Sequence, residues 1–176
     1  MDLLPVLKKG GLVVVAAPHA ARDGMSVLAA KLALRGPLTV LDGGNRFAAY
    51  QVARHLRLET VDIASAAGRL FIRRAFTCYQ MVTLLESTPS LCQPYLVLDL
   101  LATFYDDHVP AHEAGRLLEV CLRQVERLLN TAPVVIALAP PLVPERAFLI
   151  ERVCERADQV LTYEPPAAAA SQPALF

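Results

Sequence analysis

The feature that most constrains this chain is a continuous apolar run, Gly11-Leu-Val-Val-Val-Ala-Ala17, that does not alternate with polar residues. An extended segment of that kind must be covered on both faces, which is the position of a strand inside a parallel sheet. Parallel strands need a crossover, and the next residues provide one. From Met25 to Arg35 the apolar positions Val27, Leu28, Leu32 and Leu34 recur at helical spacing, Lys31 and Arg35 stay toward water, and Gly36-Pro37 ends the helix.

The alternation continues to the C-terminal region. Buried strands are predicted at Leu38 to Gly44, Pro94 to Phe104 and Pro133 to Pro140, with a last strand at Asp158 to Glu164. Between them "RFAAYQVARHLRL", "AFTCYQMVTLLEST" from Ala75, "AHEAGRLLEVCLRQVERLLN" from Ala111 to Asn130, and "PERAFLIERVCERA" carry helical periodicity. Strands alternating with helices specify an α/β domain with a mostly parallel sheet flanked by helices. With 176 residues, 55% of them hydrophobic, one domain over residues 1–164 is the expected organisation. The stretch from Pro165, "PPAAAASQPALF", lacks periodic apolar positions and is read as a disordered tail, and "MDLLPVL" at the start as an amphipathic docking segment.

Composition narrows the function. Seventeen basic residues balance seventeen acidic ones, and aromatics make up 6% without any tryptophan, so neither counterion displacement nor base stacking supports tight independent DNA binding. Asp99 interrupts the longest apolar run and no signal-peptide order is visible, which is read as a cytoplasmic protein without a membrane span. Cys78, Cys92, Cys121 and Cys154 are widely spaced without a C-x-x-C pair and are read as reduced, buried thiols.

The turn after the first strand is the candidate site. A Walker A phosphate loop reads G-x-x-x-x-G-K-[ST], and "HAARDGMS" sets His19 at the first Gly, Gly24 at the second, Met25 at the Lys and Ser26 at the hydroxyl position. Arg22 and Asp23 lie between. "LTVLDGGNRFAAYQVARHL", "IRRAFTCYQMVTLLE" and "YLVLDLLATFYDD" then follow in an order and spacing that resemble the ATPase core of RecA-type recombinases, especially the archaeal and eukaryotic strand-exchange branch, from Leu12 to about Leu161. That resemblance implies a RecA-like P-loop NTPase fold, ATP and magnesium as the family's ligands, and Asp99 as the residue that holds magnesium through water.

The departures from the family pattern matter as much. Met25 is a neutral thioether where phosphoryl transfer needs a cation, and Gly44 stands two residues past Asp42, where the family carries the Glu that orients the attacking water. Ser26 and the helix N-terminus still offer anion contacts. Two readings of the loop stand together: a nucleotide site that has lost its chemistry, and a plain strand-to-helix turn with Ser26 in the first helical turn. The vestigial site comprises His19, Arg22, Asp23, Gly24, Met25, Ser26 and Asp99.

Other clusters are weaker. Asp106, Asp107, His108, His112 and Glu113 gather after the third strand, but Pro110 separates the histidines, and the acidity opposes the DNA-binding role that the resemblance gives this loop. The family's second DNA loop would fall at "APPLVPERAF", with Arg146 alone, while Arg69, Arg73 and Arg74 around Phe71 read as a solvated edge before a helix. No G-x-S-x-G elbow is present. The resulting expectation is a non-catalytic RecA-like protein acting as an assembly or mediator subunit in DNA recombination or repair, with a protein partner or a homo-oligomer and DNA reached weakly or through a partner. The alternative is a nucleotide- or anion-binding sensor or weak NTPase with an atypical phosphate loop, using Arg22, Ser26 and Asp99.

Overall fold

A computed structural model describes residues 11–141 and 143–163. Six parallel strands form one sheet in the order β3-β2-β4-β5-β1-β6: β1 (Leu12–Ala16), β2 (Leu38–Asp42), β3 (Leu70–Arg74), β4 (Tyr95–Leu98), β5 (Val134–Leu138) and β6 (Gln159–Thr162). The helices are α1 (Arg22–Ala33), α2 (Ala49–Glu59), α3 (Ile63–Gly68), α4 (Cys78–Glu86), α5 (Ala111–Leu129) and α6 (Ala147–Glu155). The α/β class and the parallel sheet therefore agree with the sequence. The predicted tail and the "MDLLPVL" segment lie outside the described residues.

Strand alternation divides the core in two. Val13 and Val15 of β1, Leu96 and Leu98 of β4, and Val135 and Ala137 of β5 pack with α1, α2 and α3. Leu12 and Val14, Tyr95 and Val97, and Val134 and Ile136 face α4, α5 and α6 instead. This is why the runs at β1, β4 and β5 are apolar at every position: both pleat faces are covered.

The same division locates a crevice. The connection leaving β2 runs to one face of the sheet and that leaving its neighbour β4 to the other; β1 and β5 repeat the pattern. Ligand sites of parallel α/β sheets open at the carboxyl ends of strands where such reversals occur. Both reversals place residues of the predicted site there.

Several boundaries move. Arg69 to Arg74, read as a solvated edge, contains β3, an edge strand whose residues beyond Leu70 are exposed; exposure removes the apolar run by which inner strands are recognised. Helix α3 was not anticipated. Its N-cap is Asp62, whose carboxylate accepts the Ser65 amide at 3.1 Å. The third predicted strand ends at Leu98 rather than Phe104, because Asp99 turns to φ +50° and Ala102–Phe104 close a single 3-10 turn. Helix α4 starts at Cys78, capped by the Thr77 side chain, which accepts the Gln80 amide, while Gln80 reaches back to the Phe76 amide at 2.8 Å. Cys92, expected to be buried, is exposed, because it lies in the connection between α4 and β4 and not in a packed element.

Candidate functional site

Between β1 and α1 the chain makes a five-residue turn, Ala17 to Ala21. The Ala17 amide still donates to Leu138 of β5 at 3.0 Å, and the Ala20 amide closes back on Ala17 O. His19, Ala20 and Ala21 then take φ of 53°, 52° and 50° in succession. A residue with a Cβ in this left-handed region costs about 1–2 kcal/mol, which is why phosphate loops use glycine there. Ala21, the N-cap of α1, has no polar side chain to cap the helix, and the Arg22 amide closes back on His19 O; the helix start borders an open cleft of about 640 Å³ lined by the turn, Arg22, Asp23, Arg46 and Tyr163.

The structure separates the predicted site residues into two groups. His19, Arg22, Asp23 and Gly24 line the cleft. Met25 and Ser26 do not: both are already inside α1 and buried, Met25 in the apolar layer between helix and sheet. The Ser26 hydroxyl is shared between Arg22 O at 2.9 Å and Gln51 Oε1 at 3.1 Å, and Gln51 in turn donates to Asp23 Oδ1 at 3.1 Å. A phosphate loop follows its strand directly and leads into its helix. Counted from the end of β1, the eight positions run Ala17 to Gly24, which brings Arg22 to the second glycine and Asp23, an acid, to the lysine. In either register the lysine is absent.

Asp99 sits one strand reversal away, almost completely buried and left-handed at φ +50°. Its Oδ2 is held by Arg46 Nε at 3.0 Å and its Oδ1 receives the Ala139 amide at 3.3 Å. Asp42, at the end of β2, is also buried. Its Oδ1 accepts the Arg46 amide at 2.8 Å, and its Oδ2 accepts the Phe47 amide at 3.0 Å and Arg74 Nε at 3.2 Å. The two carboxylates are thus spent on protein donors, and Arg46 sets its own cation against Asp99.

Gly44 leaves no room for a side chain. A Cβ built there would lie 2.7 Å from both Cβ and Oδ2 of Asp99, closer than real contacts allow. With Asp99 turned this way, the position accepts only glycine. Nearby, Tyr105 donates to Ala139 O at 3.1 Å, and burial together with the Asp99 charge pushes its phenol well above the usual range, so it remains neutral.

Sequence reasoning missed Arg46 and Arg74 as partners of the two acids. Only the capping of Asp42 by the amides of Arg46 and Phe47 had a local signal, an Asp followed four and five residues later by amides it can accept; the side-chain pairs Arg46–Asp99 and Arg74–Asp42 had none.

The secondary clusters resolve into structure. Arg146 is buried and donates to the carbonyls of Phe104, Asp106 and Val109, so it clamps a loop and is not presented to DNA. Arg69 caps the end of α1 through Ala33 and Leu34, Arg73 binds Ser87 and Thr88, and Arg74 holds Asp42. Asp106 accepts the His108 amide and faces its ring Nδ1, both at 2.9 Å, and Glu113 pairs with Arg116, which hold both carboxyls below their usual range. Among the described residues no group of three His, Cys, Asp or Glu side chains is placed to hold a metal, and no helix is long and apolar enough to cross a membrane.

No protein-family model matches the chain, and no curated protein matches it at a significant level.

Proposed function

We propose that this protein is a RecA-like domain that has given up nucleotide hydrolysis and acts as an assembly or mediator subunit in DNA recombination or repair. The observation that carries the first half is the Arg46–Asp99 ion pair: an internal cation at 3.0 Å on the acid that would otherwise hold magnesium, beside a loop whose lysine position is Met25 or Asp23. A phosphoryl-transfer site needs a lysine, a metal-holding acid and a water-positioning group in place together. Here the first is missing, the second is occupied, and Gly44 leaves no room for the third.

The second half rests on the resemblance and on the surface. Phe71 and Ile72 on the edge strand β3, and Phe76 and Tyr79 leading into and along α4, expose large apolar side chains, a pattern that suits a surface covered in an assembly. Arg69, Arg73 and Arg74, the basic cluster of that edge, are engaged internally, which favours a protein partner over direct DNA contact. The test is a turnover assay with ATP and magnesium, with and without single-stranded DNA. The reading expects phosphate release at the uncatalysed rate in both; turnover on the scale of about 1 per second or faster would remove it.

A second reading has one observation of its own. Arg22, Arg46 and His19 line the cleft at the start of α1, whose N-cap Ala21 offers no side-chain cap, an arrangement that suits a small anion. Thermal melting in inorganic phosphate against chloride at equal ionic strength separates it, since a bound anion raises the midpoint.

A further inference from the structure

At the amino ends of the strands, away from the cleft, residues Ser87 to Pro94 connect α4 to β4. The connection is pinned from within: the Tyr95 hydroxyl accepts the Leu91 amide at 2.6 Å and donates to Pro89 O at 2.8 Å, and Gln93 Nε2 donates to Thr39 Oγ1 at 2.6 Å. Two guanidinium groups close on the same loop from neighbouring elements. Arg73 of edge strand β3 donates to Ser87 Oγ at 2.8 Å and to Thr88 Oγ1 at 3.5 Å. Arg127, in the last turn of α5, donates to Ser90 Oγ at 2.6 Å, to Thr88 O at 2.8 Å and to Leu85 O at 3.0 Å.

The acceptors of these two cations, Gln124 Oε1 on Arg127 Nε included, are neutral oxygens. Among the described residues neither arginine forms an ion pair with the nearby acids: Glu86 ends α4 without a salt bridge, and Glu126, next to Arg127, is engaged with Arg156. The carbonyl end of α4 offsets part of the charge through the helix dipole, which amounts to about half an elementary charge against two full ones. The corner therefore stays positive.

Its three hydroxyls are not equivalent. Thr88 is 2% exposed and donates to Leu84 O at 2.7 Å. Ser87 is the C-cap of α4 and donates to Thr83 O at 2.7 Å, so a phosphate there would meet the negative end of the helix. Ser90 is exposed, and its Oγ accepts from Arg127 while donating to no acceptor among the described residues. It is the hydroxyl that an enzyme can reach without breaking a bond that the helix end needs.

We infer that Ser90 is a phosphorylation site, with Arg127 as the main ligand of the ester and Arg73 as the second cation of the same loop. A kinase transfers the terminal phosphoryl group of a nucleoside triphosphate: a P–O bond forms at Ser90 Oγ as the terminal phosphoanhydride bond breaks, the nucleoside diphosphate leaves, and the hydroxyl proton passes to the base of the kinase. The ester carries a charge of about −2 at neutral pH beside a planar guanidinium fork, which turns a neutral clamp between the loop and α5 into a charge-assisted one. A free phosphate would have to displace the Ser90 hydroxyl from Arg127, so the geometry favours the covalent group. The site stands apart from the cleft and does not depend on whether a nucleotide binds there.

The experiment uses the full chain with phosphoserine incorporated at position 90. Its melting midpoint is expected to lie about 2–4 °C above that of the unmodified chain, and an equal or lower midpoint overturns the inference. Phosphorus NMR supplies a readout that needs no further variant: the phosphoserine is expected to titrate at lower pH in the folded chain than in urea, because the guanidiniums favour the dianion, and coincident titrations overturn it. Arg127→Gln is expected to remove most of that displacement; its full persistence would overturn the role of Arg127. Phosphopeptide mass spectrometry of the chain isolated from the cells that make it is expected to find the group on Ser90, and phosphate on Ser87 or Thr88 instead, or on none of the three, would overturn the assignment.

Discussion

Replacing Arg46 by Ala tests the closed site most sharply. The guanidinium supplies the ion pair to Asp99, whose carboxylate is 1% exposed and otherwise receives only the Ala139 amide at 3.3 Å. Breaking a buried pair from one side costs about 3–5 kcal/mol, because the remaining charge is left without compensation. Arg46 is itself 38% exposed, so water enters the vacated space and reduces the loss to about 2–3 kcal/mol. For a chain of this length that lowers the melting midpoint by roughly 5–10 °C. Asp99→Asn removes the charge while tolerating the left-handed backbone. The double variant Arg46→Ala/Asp99→Asn is therefore expected to be more stable than Arg46→Ala alone by at least about 1 kcal/mol in a double-mutant cycle followed by thermal and urea unfolding. A loss below about 2 °C for Arg46→Ala, or a double variant less stable than the single, would refute the argument that Arg46 compensates a buried acid.

Three further outcomes follow from the same geometry. Gly24 lies inside α1 with open space where a Cβ would sit, so Gly24→Ala is expected to stabilise by about 0.5–1 kcal/mol, whereas Gly44→Ala drives a Cβ into Asp99 and is expected to cost about 1–3 kcal/mol; urea midpoints report both, and a destabilising Gly24→Ala would mean that the backbone there needs glycine. Ala20→Gly relieves a left-handed residue at φ 52° and is expected to raise stability by up to about 1 kcal/mol in the same assay, with a loss counting against the turn as drawn. Burial pushes the Cys121 thiol up to about 12 and raises Cys78 as well, so at pH 8 a thiol-exchange reagent is expected to label the exposed Cys92 fast and both of these only on unfolding; rapid labelling of Cys121 in the native protein would contradict its place in the core.

The inner strands were legible because burial on both faces leaves a direct mark, a run such as Val134 to Leu138 without a polar residue. Edge strand β3 left no such mark, since Phe71 to Arg74 face water, and the short helix α3 is announced only by the Asp62 cap. The site was half legible. His19, Arg22, Asp23 and Gly24 line the cleft as their place after β1 implied, but the helix opens at Arg22, and that start turns Met25 and Ser26 into the core. Helix boundaries shift by a residue or two with little local signal, and a shift of that size rotates a side chain from cleft to core. The partners of Asp42 and Asp99 were hidden for a different reason. Pairing across the sheet, Arg74 to Asp42 and Arg46 to Asp99, depends on strand order, which no local pattern encodes.

The central proposal is that the β1–α1 turn does not serve a nucleotide, and isothermal titration of the purified chain with ATP and magnesium tests it most directly. With an acid or a thioether in the lysine position and Asp99 held by Arg46, no binding heat is expected up to millimolar ATP, and no rise in melting midpoint. A dissociation constant near 1 μM, about −8 kcal/mol of binding, would contradict the account and would make Arg22 and Arg46 phosphate ligands, not structural cations.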